Sequence, residues 1–229
     1  YAGTGVFADG ESYANFSAVA GLYTEACQVA VRADSEIASI EDLQGKTVSV
    51  GEEESGTEKN AEQILAAYGL SERLVTEVNL DYTDAVEQLK KKEIDAMFCT
   101  AGAYTTVIGE LAKQCEIRFI DLDEKGIDKL MKSYDFYTEC EIPENTYVGQ
   151  TEAVRTVGVK AVLLASDKLS EKKVKEITEI LFENKAELQY ILPTDISLDE
   201  SQATEGITIP FHDGAAVYYE EHGISMNEE

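Results

Sequence analysis

Between Lys46 and Leu122 the chain alternates short β-branched runs with stretches of helical period, and this alternation restricts the fold more than any other feature. Residues 46–50 form a strand pattern that ends at Gly51. Ser55-Gly-Thr-Glu58 then has the form of a capping box, in which Ser55 accepts the Glu58 amide hydrogen and Glu58 reaches back to the Ser55 amide. Ala61, Ile64, Leu65 and Tyr68 follow at i, i+3, i+4 and i+7, and Gly69 supplies a stop. Residues 74–80 are a second strand. Thr83 caps a helix running to about Lys92, with Val86 and Leu89 inward. Residues 94–100 return as a strand, Tyr104, Val107, Ile108 and Leu111 trace another helical stripe, and residues 117–122 close the series. Such alternation predicts an α/β domain over residues 33–145, a parallel sheet with helices on both faces.

Beyond Pro143 the order changes. Residues 156–165 make one long β-rich run, and Ser170 starts a helix with apolar positions at Val174, Ile177, Leu181 and Leu188. A further helix is expected over residues 197–204 and a last one from Asp213 to Gly223. One strand does not make a sheet, so an α/β lobe built from residues 146–229 needs strands from elsewhere in the chain.

Charge and residue inventory exclude several functions. A formal net charge of −26 repels phosphate backbones and anionic lipid faces, so no nucleic-acid partner is expected. No apolar run approaches the roughly 18 residues that span a bilayer. Cys27, Cys99, Cys115 and Cys140 are too far apart for a CxxC site, and His212 and His222 both lie near the C-terminus, so no metal site or cofactor is expected. Cys99 sits in an apolar strand pattern that suits a buried free thiol. A Cys115–Cys140 bridge is the alternative state of the remaining cysteines.

Three stretches offer binding chemistry. The first runs from Gly51 to Thr57, after the carboxyl end of a strand and at a helix N-terminus, where α/β sheets bind ligands and free amides suit an anion. Thr57 stands where a phosphate loop requires lysine, and Glu52, Glu53 and Glu54 repel a triphosphate, so a nucleotide ligand is not expected. Local sequence also allows Ser55 and Glu58 to act purely as caps. The second stretch, Thr100-Ala-Gly-Ala-Tyr104, is the next strand-to-helix turn and emerges at the same edge of a parallel sheet. In the third, Tyr147 offers a ring face and a hydroxyl, and Gln150 an amide, at the junction between the two regions. The run Lys90-Lys91-Lys92 fits a solvated last helical turn.

Five segments together resemble the TAXI-type solute-binding receptors of TRAP transporters: Asp42-Leu-Gln-Gly-Lys-Thr-Val-Ser-Val-Gly51 leading into Ser55-Gly-Thr-Glu58; Ile94-Asp-Ala-Met-Phe-Cys-Thr-Ala-Gly102; residues 142–150; residues 156–166; and Ile209-Pro-Phe-His-Asp-Gly-Ala-Ala-Val-Tyr-Tyr-Glu-Glu-His-Gly223. The resemblance implies a type II periplasmic binding protein fold. Two α/β lobes with parallel-rich sheets would be joined by strands crossing near residues 29–32 and 156–164. It further implies a small polar solute, an amino acid or a carboxylate, clasped between the lobes outside the cytoplasm and delivered to a membrane-embedded TRAP permease, the secretion signal having been removed. Carried over by position, the ligand-facing residues are Ser55, Gly56, Thr57, Thr100, Ala101, Gly102, Ala103, Tyr147 and Gln150.

Two departures from the family pattern bear on function. These receptors have glycine immediately before Ser-Gly-Thr, where this chain has Glu54. Three consecutive glutamates there would favour a solute that carries an ammonium group over a dicarboxylate. The chain also starts late relative to the family, with residues 1–32 as the remnant of the first lobe and roughly 60 to 80 residues, about two βαβ units, missing before it. Such an incomplete lobe is expected to self-associate or to bind the missing segment. Two other functions fit the same fold: an enzyme using Ser55 or Glu58, and an intracellular ligand-sensing domain.

Overall fold

The computed structural model describes residues 13–191 and 198–226. The chain divides into two units, with division points at Tyr23/Thr24 and Val159/Lys160. Two long strands, β1 (Phe16–Arg32) and β7 (Val154–Ser166), pass through these points.

Residues 24–159 make one unit. In chain order after β1 come β2 (Thr47–Gly51), α1 (Gly56–Ala67), β3 (Thr76–Asn79), α2 (Tyr82–Lys91), β4 (Ala96–Ala101), α3 (Thr106–Gln114), β5 (Ile117–Phe119), α4 (Glu124–Ser133) and β6 (Tyr137–Ile142). The sheet order is β3-β2-β4-β1-β7-β6, and β5 also pairs with β1. β2 runs parallel to β3 and to β4, as the alternation predicts. The sheet is nevertheless mixed, because β1 lies antiparallel between β4 and β5: Ala30 pairs with Met97 on one side and with Phe119 on the other. β4 and β5 therefore keep the common direction that a βαβ connection requires, but another strand occupies the slot between them. β1 is not the product of a local crossover, so nothing near it in sequence announces its place.

Burial on both faces fits this central position. One face of β1 carries Cys27, Val29 and Val31, packed with Val48, Phe98 and the α1 and α4 residues Ala61, Ile64, Leu65, Ile127 and Leu130. The opposite face carries Ala26 and Ala30, packed with Met97 and Cys99 and with Ala85, Leu89, Ile108 and Leu111 of α2 and α3. Helices thus cover both faces, as expected of an α/β layer structure.

Local chemistry sets the helix ends. α1 is capped by Ser55 and ends at Tyr68, before Gly69. α2 starts earlier than its sequence suggests: Asp81, not Thr83, is the cap, and its carboxylate accepts the Asp84 amide hydrogen at 2.8 Å. Lys90 pairs with Glu87 at 2.7 Å and Lys92 with Asp34 at 2.6 Å, in keeping with a solvated last turn. α4 and β6 are additions to the expected elements. In α4 only Gly126, Ile127 and Leu130 are buried, too few apolar positions to stand out as a stripe. All four cysteines are free, so the Cys115–Cys140 bridge is not formed.

The other unit takes the described residues up to Tyr23 and from Lys160 onward. It contains α5 (Glu171–Glu183), α6 (Lys185–Ile191), a 3-10 turn at Glu200–Gln202 and α7 (Asp213–Glu221). Ser170 caps α5 as predicted. Its buried line is Val174, Thr178 and Phe182, not the expected row through Ile177 and Leu181, and Leu188 lies beyond the break at Asn184, in α6. The helix expected over residues 197–204 is reduced to the 3-10 turn, and Ser197 itself lies outside the described residues. His212 caps α7 through Nδ1, which accepts the Gly214 amide hydrogen at 3.2 Å. Gly214 lies so close to α5 that a β-carbon there would fall 2.2 Å from the Glu171 carbonyl oxygen. The fully buried Tyr219 donates its hydroxyl to Val19 O at 2.9 Å, tying α7 to the start of β1.

Candidate functional site

Every candidate ligand-facing residue belongs to the unit of residues 24–159. β2 and β4 are parallel neighbours, so the turns that follow Gly51 and Ala101 leave the sheet at one edge. Ala26 of β1 pairs with Ala101 at that same edge.

The first turn is shaped by backbone demands. Gly51 has φ +99°, and a β-carbon there would lie 2.9 Å from Thr57 Cβ, so only glycine fits. Glu52, Glu53 and Glu54 are all exposed. Ser55 Oγ accepts the Glu58 amide hydrogen at 3.1 Å, as predicted. The return half of the capping box differs, because the Ser55 amide donates to Glu52 O at 3.1 Å and is already used. The Glu58 carboxylate instead accepts the Glu54 amide at 2.8 Å and Asn79 Nδ2 at 2.6 Å. Burial opposes ionisation of Glu58, but hydrogen bonds from Asn79 and the Glu54 amide, together with Lys59, outweigh it and hold the carboxyl below its ordinary value.

Glu54 itself has φ +62°, a left-handed conformation. This gives a conformational reason for glycine at the position, separate from charge. Glu54→Gly is expected to stabilise the protein by about 1 kcal/mol, or roughly 2–4 °C in Tm, because the β-carbon strain is removed. Glu54→Gln removes the charge alone and is expected to leave Tm unchanged. Thermal denaturation of the two variants separates strain from charge. Equal shifts would show that the backbone is not strained there.

Thr57, 7% exposed, has its hydroxyl 2.6 Å from the Tyr82 hydroxyl. Tyr82 Oη also accepts the Thr100 amide at 3.2 Å and lies 3.1 Å from Thr100 O. Asn60 Nδ2 donates to Thr100 Oγ1 at 3.1 Å, and Tyr137 Oη donates to Asn60 Oδ1 at 3.0 Å. Thr57 and Thr100 are thereby brought together at the Tyr82 hydroxyl, with Ser55 and Gly56 directly before Thr57 in the chain. Gly56 is exposed at the first position of α1. Sequence reasoning passed over Tyr82 and Asn60. Asn60 carried a usable signal, since it lies on the buried stripe of Thr57, Ala61 and Ile64, where a polar side chain needs a partner.

The second turn is braced from behind. Ala101 and Ala103 are partly exposed and Gly102 is buried. Tyr147, 3% exposed, accepts the Thr105 amide hydrogen at 2.9 Å and donates to Gln28 Oε1 at 2.8 Å. Gln28, fully buried, donates to Ala101 O at 3.3 Å. The Tyr147 ring lies 5.3 Å from Tyr104 and 5.2 Å from Phe119, and burial raises its hydroxyl pKa. Gln150 closes its own loop: Nε2 donates to Pro143 O and Glu152 O, both at 2.9 Å, and Oε1 accepts the Tyr147 amide at 3.2 Å. Tyr147 thus holds the turn in place through Thr105 and Gln28, Gln150 holds the loop that carries Tyr147, and the polar atoms of both are turned inward.

Burial pushes the Cys27, Cys99 and Cys140 thiols up to about 12, so they stay protonated at neutral pH. Among the described residues no group of three or more His, Cys, Asp or Glu is placed to hold a metal ion, and no helix is long and apolar enough to cross a membrane.

The sequence profile described as "NMT1-like family" matches residues 1–223. Solved structures similar to this chain include a P235GK mutant of ArgBP from T. maritima, at 18% identity and TM-score 0.45, the match covering 76% of this chain and 57% of that one. The alkanesulfonate-binding protein SsuA from Xanthomonas axonopodis pv. citri, bound to MOPS, matches at 16% identity and TM-score 0.42, over 76% of this chain and 52% of that one. The periplasmic aliphatic sulphonate binding protein SsuA from Escherichia coli matches at 15% identity and TM-score 0.45, over 92% and 70%. The chain spans little more than half the length of the first two.

Proposed function

We propose, since this chain belongs to the NMT1-like family over residues 1–223, that it is an extracytoplasmic solute-binding receptor of the TAXI type. The receptor binds a small polar solute, an amino acid or a carboxylate, and supplies it to a TRAP-type permease. The observation that carries this reading is the shared edge at which parallel β2 and β4 deliver two strand-to-helix turns, one opening α1 and one made of small residues. Ser55, Gly56, Thr57 and residues 100–103 line that edge, and Tyr147, its loop held by Gln150, braces the second turn. The solute acts by hinge closure about β1 and β7, because it binds the closed state more tightly and shifts that population.

The receptor is non-enzymatic. Ser55 Oγ is occupied as a helix cap, both histidines flank α7 in the other unit, and the buried thiols remain protonated. A thermal-shift screen over amino acids, 2-oxo acids and dicarboxylates tests the proposal. A bound solute should raise stability as RT ln(1 + [L]/Kd), about 2.7 kcal/mol at a hundred times Kd, and should be recovered unchanged. Consumption of a stabilising solute would indicate an enzyme instead.

A further inference from the structure

The glutamates at residues 52–54 are exposed, so water around their carboxylates weakens the attraction they exert on a solute. A partly buried carboxylate at the same edge acts more strongly than an exposed one. Glu25 immediately precedes Ala26, which pairs with Ala101, so in register its backbone falls opposite Gly102 of the second turn. Strand alternation places its side chain on the same face of β1 as Cys27 and Val29, the face that α1 covers. Glu25 is half-buried. Among the described residues no lysine, arginine or hydrogen-bond donor is paired with its carboxylate, whereas Glu58 is held by Asn79 and the Glu54 amide, and Lys59 by Glu58 and Glu62. Burial raises the Glu25 carboxyl pKa, and its charge helps raise the neighbouring Cys27 and Cys99 thiols. A carboxylate that has lost part of its hydration without gaining a protein donor is stabilised by a ligand that supplies positive charge and donors. An ammonium group supplies one positive charge and three N–H donors. The N-terminus of α1, on the same face, suits the carboxylate of the same solute.

From this geometry we infer that Glu25 is the specificity-determining residue of the site and that the solute is an amino acid held through its ammonium group. This deepens the receptor reading and rests on it. The test uses pairs of solutes that differ only in the replacement of the ammonium by a carbonyl: L-glutamate with 2-oxoglutarate, L-alanine with pyruvate, and L-leucine with 4-methyl-2-oxopentanoate. Calorimetric titration of the wild-type chain should find at least one amino acid that binds about tenfold or more tightly than its oxo partner. Glu25→Gln should abolish that preference, and Glu25→Asp should restore part of it. The melting temperature of unliganded Glu25→Gln should be no lower than that of the wild type, since the change removes an unpaired, half-buried charge, and this distinguishes lost recognition from lost folding. Oxo acids binding as tightly as amino acids, or a preference that survives Glu25→Gln, would overturn the role of Glu25 and leave the receptor standing. Binding of neither series would overturn both.

Discussion

Gly214→Ala is expected to destabilise the protein by about 3 kcal/mol, the upper end of the usual cost of overpacking. The added β-carbon would lie 2.2 Å from Glu171 O, 2.8 Å from Lys175 N and 3.0 Å from Glu171 C. All three are backbone atoms of α5, and none can rotate away as a side chain could. Moving α7 outward would also disturb the His212 cap on the Gly214 amide and the Tyr219 bond to Val19 O. For a chain of this length the cost corresponds to a fall in Tm of roughly 6–12 °C. Scanning calorimetry of wild type and variant measures it directly. A Tm within a degree of wild type would mean that α5 and α7 are not packed through this glycine.

Tyr147→Phe ranks next, with an expected loss of about 2 kcal/mol. The ring stays between Tyr104 and Phe119, so the change isolates the hydroxyl. Without it, Gln28 Oε1 and the Thr105 amide both lose their partner, and Gln28 is fully buried. Denaturant unfolding should show a lower midpoint with an unchanged slope. Because an orphaned partner costs more than an absent one, Gln28→Met combined with Tyr147→Phe should cost at least about 1 kcal/mol less than the sum of the single changes. Strict additivity would show that the Tyr147–Gln28 hydrogen bond contributes nothing.

Local and distant determinants mark where sequence reading succeeds and where it stops. The stripe of α1 and its Ser55 cap were legible because both are local, settled by side chains within four residues of one another. The predicted cap of α2 slipped by two positions because Asp81 and Thr83 are both competent caps, and only the three-dimensional turn selects between them. The parallel direction of β2, β3 and β4 followed from alternation, whereas the antiparallel insertion of β1 did not, because its partners lie about seventy residues and more away along the chain. Tyr147 illustrates the same limit within the site. A tyrosine in a junction loop suggests a ligand contact, but its hydroxyl is engaged by Gln28, 119 residues earlier. Burial cannot be assigned to a polar side chain until that distant partner is known.

The position of β1 also bears on how the chain is made. Residues 26–31 leave the ribosome well before their neighbours at residues 96–101 and 117–119, a lag of roughly 4 to 20 s at the usual pace of about 5 to 20 residues per second. Throughout that interval the strand has two open edges and the sequence Ala-Cys-Gln-Val-Ala-Val, in which Gln28 alone among the six is polar. One polar side chain in such a run discourages nascent chains from pairing with each other. Gln28 is therefore placed to interrupt such pairing during synthesis, and once β4 has joined β1 it is the buried amide that donates to Ala101 O.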